Sequence, residues 1–259
     1  MNDLLYPEPP HLTASVVAAG AQEDQFSRAC TVAVSLGCTG TGAVVVAPWE
    51  QSFEFRFHLE DLAARQDLSP GSFDAVVSGA DTTRGRPILA GFRHPTWGVV
   101  LVEYLPSGPA DQHPIGVTVA ADALGIPESL WSSREKTRAR KLAAWIISVL
   151  TQLVDDDGVL YGALGIELRL PSPTALAGGD AVWASSVYVP DGLADGQVDV
   201  PAAFQEALGD AVSLGRGRLY CGWAPLSGGG EVVPDFDTRL RRPAILLGSS
   251  AAAALLSRP

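Results

Sequence analysis

The run SSREKTRARK, residues 132–141, places Arg134, Lys136, Arg138, Arg140 and Lys141 around a single carboxylate, Glu135. Like charges three and four residues apart on a helix repel by about 0.2–0.5 kcal/mol per pair. At the amino end of a helix they also meet the positive end of the peptide dipole. Two arrangements offset that repulsion: acidic side chains of the same chain, or an external anion such as a phosphate, a sulfate or an acidic partner surface. These cations are the candidate anion- or partner-binding residues. A second basic group, Arg239, Arg241 and Arg242 in TRLRRP, is a candidate neighbour in space.

Acid–base chemistry has few carriers. Only four histidines exist: His11, His58, His94 and His113. His11 and His113 adjoin prolines, and His58 falls on the polar side of an alternating run. His94, in GFRHPTWG, reads as a loop residue between Arg93 and Trp97, ahead of an apolar strand. Glu103 interrupts that strand, VVLVEYL, and a carboxylate covered on both sides must be paired or neutral. Arg86, Arg93 and Arg169 are the candidate partners. Glu103 and His94 are accordingly the candidate catalytic residues. Glu167 holds a related place in GIELRL, where clean alternation predicts exposure.

The familiar site motifs are missing. No HExxH or clustered Cys/His spacing points to a metal, and no G-x-S-x-G marks a nucleophilic serine. DDDG, residues 155–158, lacks calcium-loop spacing and reads as a turn. No motif names a cofactor. SLGCTGTGA, residues 35–43, resembles a phosphate-cradling loop, but its glycines run in the reverse of G-x-G-x-x-G spacing and no Walker lysine follows. TVAVSL before it and AVVVAP after it both read as strands, so the glycines are expected to form a hairpin turn.

Further elements must carry these residues. SFEFRFHLEDL, with Phe53, Phe55, Phe57 and Leu59 on one face, is predicted as a half-buried strand, followed by a short helix from Glu60 to about Gln66. LSPGSFDAVVSGA is predicted as a turn and a strand over 73–77. TWGVVLVEYLP is predicted as a strand. A long amphipathic helix is predicted near 127–154, starting at Pro127 or at the capping box Ser132-x-x-Glu135. Leu142, Trp145, Ile146, Val149, Leu150 and Leu153 recur on its apolar face. Strands are predicted in VLYGALGIELRLPSP, AVWASSVYVP and GRLYCGWAPL, with a helix from Pro201 to about Val212. RPAILLGSS reads as a last strand or a packed tail.

This irregular mixture points to an α+β chain with a mixed, largely antiparallel sheet. Residues 1–126 and 127–259 form N- and C-terminal α+β halves, either as one continuous domain or as two related units. The second option rests on an echo between residues 102–125 and 186–209.

Composition narrows the class. With 47% hydrophobic and 18% charged residues, the chain has enough apolar surface to offset the entropy of ordering. Its net charge of -11 disfavours nucleic acid and anionic membranes as partners. Only Lys136 and Lys141 are lysines, and this bias toward arginine, alanine and glycine reads as GC-rich bacterial coding. Three cysteines, Cys30, Cys38 and Cys221, form no C-x-x-C pair and suit a reducing compartment. MNDLLYPEPPHL has no basic n-region, so no signal peptide is expected and the expected compartment is the cytoplasm.

Two functions fit. The first is a protein-binding or accessory-subunit role in a bacterial system, as a regulatory, immunity-type or heteromeric partner, with a protein partner or oligomer implied. The second is a small-molecule group-transfer enzyme whose phosphate- or sulfate-bearing donor meets the cations of 134–141 while Glu103 or His94 moves a proton.

Overall fold

The computed structural model describes residues 7–46, 65–78, 88–104, 112–125, 130, 132–179, 186–195, 198–209, 211–220 and 236–257. The chain is α+β. Its strands are β1 (His11–Ala18), β2 (Thr39–Val46), β3 (Arg65–Asp67), β4 (Ile88–His94), β5 (Gly98–Tyr104), β6 (Ile115–Ala120), β7 (Val159–Ile166), β8 (Ser186–Pro190), β9 (Ala194–Asp195), β10 (Val198–Asp199), β11 (Ala211–Leu214) and β12 (Gly217–Tyr220). Its helices are α1 (Gln22–Ser35), α2 (Pro70–Val77), α3 (Ser133–Leu153), α4 (Pro173–Gly178), α5 (Val200–Leu208) and α6 (Phe236–Leu256).

Ten strands form one sheet in the order β11-β12-β8-β7-β1-β6-β5-β4-β2-β3, and every pairing in it is antiparallel. β1 lies between β6 and β7, so strands from both sides of residue 126 share this sheet. Alternation along β1 separates two cores. Leu12, Ala14, Val16 and Ala18 face α1, α2 and α3, whereas Val17 and Ala19 belong to the core beneath α4, α5 and α6. The arrangement is therefore helices, sheet, helices.

Several local expectations are corrected. TVAVSL lies at the end of α1, not in a strand. Phe26, Ala29, Cys30, Val32 and Ala33 are its buried residues, a three-and-four spacing built largely from small side chains. The glycine stretch is consequently a helix-to-strand connection and no hairpin. Gly37, at φ 91°, follows the helix end, where the N–H groups of Gly37 and Cys38 bond back to the carbonyls of Val34 and Ala33. Gly40 lies under the Phe73 ring so closely that an added Cβ would sit 2.4 Å from it.

Residues 70–77 are helical because Ser69 caps the first turn through the N–H of Ser72 and Pro70 suits the first helical position. Residues 65–66 are in β3 where the end of a helix was expected, and the strand expected over 53–59 lies outside the described residues. The long helix starts at Ser133, the later of its two candidate starts. Glu167 follows the end of β7 with φ 46°, and α4, which no pattern predicted, begins at the Ser172 cap. RPAILLGSS is interior to α6. The two echoing windows diverge: the apolar segment of the first is β6, and that of the second is α5.

Candidate functional site

The basic run sits on the first turns of α3. Ser132 Oγ accepts the N–H of Glu135 at 3.2 Å, and Glu135 Oε2 accepts the N–H of Ser132 at 2.7 Å, closing the capping box. The single acid of the run is thereby engaged with the backbone. Arg134, Lys136, Arg138, Arg140 and Lys141 are all exposed. Arg138 pairs with Asp122 at 3.2 Å, with both side chains more than half exposed, a pair that contributes about 1 kcal/mol at most. Among the described residues the other four cations make no ion pair. Among the described residues, acids thus leave most of the repulsion on α3 in place.

Helical geometry orders this surface. At about 100° per residue, Arg134, Arg138, Lys141 and Trp145 fall within about 60° of one another, along about 16 Å of axis. Leu142, Ile146, Val149, Leu150 and Leu153 form the buried side. Trp145, expected on that side, is only half-buried at its border. Its indole N–H donates to the carbonyl of Leu36 at 3.2 Å.

His94 is the last residue of β4 and not a loop residue. Its ring lies between Trp97, at 6.1 Å and 18° between planes, and Trp145, at 5.4 Å and 60°. Nδ1 accepts the N–H groups of Thr96 and Trp97 at 3.0 and 3.2 Å, closing the turn into β5. Those two bonds place the ring proton on Nε2. Partial burial lowers the pKa of His94, opposed by the carbonyl of Leu36.

A folded-state pKa below the unfolded value means that the unfolded chain takes up the proton first. The contribution of His94 to stability is therefore complete above the unfolded value of about 6.5 and declines as pH falls toward the folded one. Asn at this position supplies an acceptor that does not titrate. His94→Asn is expected to melt with a flatter pH dependence than wild type between about pH 5 and 7. Parallel melting curves across that range would contradict the assignment.

Glu103 faces the other side of the sheet. In β5, Val100, Val102 and Tyr104 join the core under α1–α3, so Glu103 projects oppositely, opposite Leu89 and Gly116 in register. It is 5% exposed, and Thr118 Oγ1 donates to its Oε1 at 3.1 Å. Thr118 has one hydroxyl proton, so Thr13, at 2.9 Å, donates to Thr118 in turn. The result is a directed chain, Thr13 to Thr118 to Glu103, in the middle of the sheet. Nothing in the sequence pattern singled out Thr13 or Thr118, because the central strand β1 was not predicted.

The remaining candidates separate. Arg93 and Arg169 are exposed, and Arg86 lies outside the described residues. Glu167 is exposed, as expected, and accepts the backbone N–H of His11 at 2.8 Å. Arg239, Arg241 and Arg242 lie on α6, across the sheet from α3, so the two basic groups do not meet. Arg239 and Arg242 line a groove of about 500 Å³ with Asp199 and Glu206 of the α5 region. Burial raises the thiol pKa of Cys30 and pushes that of Cys38 up to about 11, so neither is a thiolate nucleophile at neutral pH. Among the described residues no three His, Cys, Asp or Glu side chains cluster so as to hold a metal ion, and no helix is long and apolar enough to cross a membrane.

No protein-family model matches the sequence, and neither the curated proteins nor the solved structures give a match.

Proposed function

We infer that the chain acts by binding another protein, as a regulatory, immunity-type or accessory partner, and that the exposed face of α3 is its docking surface. One observation carries this reading: Arg134, Lys136, Arg140 and Lys141 make no ion pair among the described residues, in a chain of net charge -11 that has acids to pair them. An acidic partner surface supplies the missing counter-charge and lowers the self-repulsion of the helix. The overall negative field disfavours a long polyanion, whereas a short acidic surface is screened from distant charges beyond about 8 Å at physiological salt.

The group-transfer reading fits less well. Glu103 projects from the opposite side of the sheet to α3, and Nδ1 of His94 already accepts two backbone N–H groups.

Affinity purification from the native host is expected to bring down a stoichiometric partner. Arg134→Glu with Arg138→Glu and Lys141→Glu is expected to weaken that complex at least about tenfold, roughly 1.4 kcal/mol, while the melting temperature stays near that of wild type. A monodisperse monomer in light scattering, with no partner recovered, would count against the reading. A thermal shift with a nucleotide, phosphoadenylyl sulfate or acyl-coenzyme A that disappears in Arg138→Ala with Arg140→Ala would put group transfer in its place.

A further inference from the structure

The basic stripe of α3 does not end in water. Its next position is Trp145, and Trp145 touches the ring of His94, which in turn stacks on Trp97. All three rings are half-buried, so each keeps part of its surface exposed. Their polar atoms are largely satisfied inside the fold: the indole N–H of Trp145 by Leu36, and Nδ1 of His94 by the turn it caps. What Trp145 offers a visitor is therefore apolar ring surface.

The chain fixes this aromatic shelf from three directions. The β4–β5 turn holds His94 and Trp97, the middle of α3 holds Trp145, and the end of α1 supplies the carbonyl that orients the indole. Gly37, at φ 91°, turns the chain beside His94, where an added Cβ would stand at ordinary contact distance, 3.5 Å from Nε2.

Tryptophan and arginine are the residues most enriched in the energetic centres of protein interfaces. Here three cations and a tryptophan share one helical stripe, and further rings extend its apolar end. Resting on the docking reading above, we propose that the partner presents an acidic segment with an apolar side chain at one end, its carboxylates on Arg134, Arg138 and Lys141 and its apolar residue on the Trp145–His94–Trp97 shelf. The cations set attraction and register, and the shelf supplies the desolvated contact that slows release.

Two labelled probes test this: a short oligoglutamate peptide, and the same peptide extended by Leu-Phe-Leu. Fluorescence anisotropy at physiological salt is expected to show the extended peptide binding about tenfold tighter, as burial of one or two apolar side chains predicts. Trp97→Ala, on the turn and away from the helix, is expected to remove that gain while leaving oligoglutamate binding unchanged. The indole N–H resonances of Trp145 and Trp97 in the wild-type protein are expected to shift with the extended peptide only, a readout that needs no variant to fold.

Equal binding of both peptides with unmoved indole resonances, still lost in Arg134→Glu with Arg138→Glu, would overturn the shelf and leave the docking reading standing. Failure of both peptides to bind wild type would overturn the two together. Tighter binding of duplex DNA or of phosphatidylserine vesicles than of either peptide would overturn an acidic protein segment as the occupant.

Discussion

Gly248→Ala is expected to destabilise the protein by about 3 kcal/mol in urea unfolding, the upper end of the usual cost of overpacking. Gly248 lies in α6 where α4 crosses it, and an added Cβ would sit 2.3 Å from the backbone nitrogen of Ala177, 2.6 Å from Cβ of Leu176 and 2.7 Å from the carbonyl oxygen of Pro173. Two of those three atoms are backbone, so no rotamer change relieves the overlap, and the helices must separate. Separation pulls Leu176 and Leu247, both buried, away from the core over β7 and β8. Gly71 in α2 is the internal control, because an added Cβ there meets nothing within 4 Å. Gly71→Ala is expected to be neutral or to stabilise by up to about 1 kcal/mol, through helix propensity and a less flexible unfolded chain. Equal stabilities for the two alanine variants would refute the close crossing of α4 and α6.

Glu103→Ala is expected to cost about 2–4 kcal/mol, from a buried cavity and the loss of the acceptor at the end of the Thr13–Thr118 chain. Glu103→Gln keeps an acceptor oxygen for Thr118 and nearly the same volume, so it is expected to cost less than half as much. Denaturant midpoints of the two variants decide the matter. An alanine variant as stable as wild type would mean that the carboxylate is not part of the sheet's hydrogen bonding. A stability loss confined to Ala, with activity or partner binding unchanged in Gln, would place Glu103 in the fold and outside the docking surface.

These two positions show how unevenly the fold can be read along the chain. The carboxylate at 103 stood out because it breaks a run of apolar residues, and its burial follows from the strands on either side of β5. Its partners came from β1 and β6, more than ten residues away in either direction, which no local window joins. Gly248 gave no signal at all: RPAILLGSS reads as a last strand or a packed tail, whereas in the fold this glycine lies where α6 meets α4.

Local chemistry determined the elements whose periodicity and caps agree. The capping box at Ser132 and the apolar spacing from Leu142 to Leu153 specify α3, Pro201 marks the start of α5, and an apolar run broken only by Glu103 specifies β5. Where the two signals conflict, the window misled. Val32 and Val34 alternate like a strand, yet helical packing against β5 and β6 sets the conformation of α1, because small residues at three-and-four spacing let the helix lie close to the sheet.

Sequence alone therefore established an α+β chain, an acidic whole with one strongly basic helix start, and the residues able to carry charge. Only the tertiary structure decided which of those charges find a partner among the described residues and what stands beside the basic stripe of α3. The physical reason is distance: cation repulsion along one helix is local and visible in spacing, but its relief by Asp122 comes from 16 residues before Arg138, and the rings of Trp97 and His94 that continue the stripe meet Trp145 from some fifty residues away in the chain.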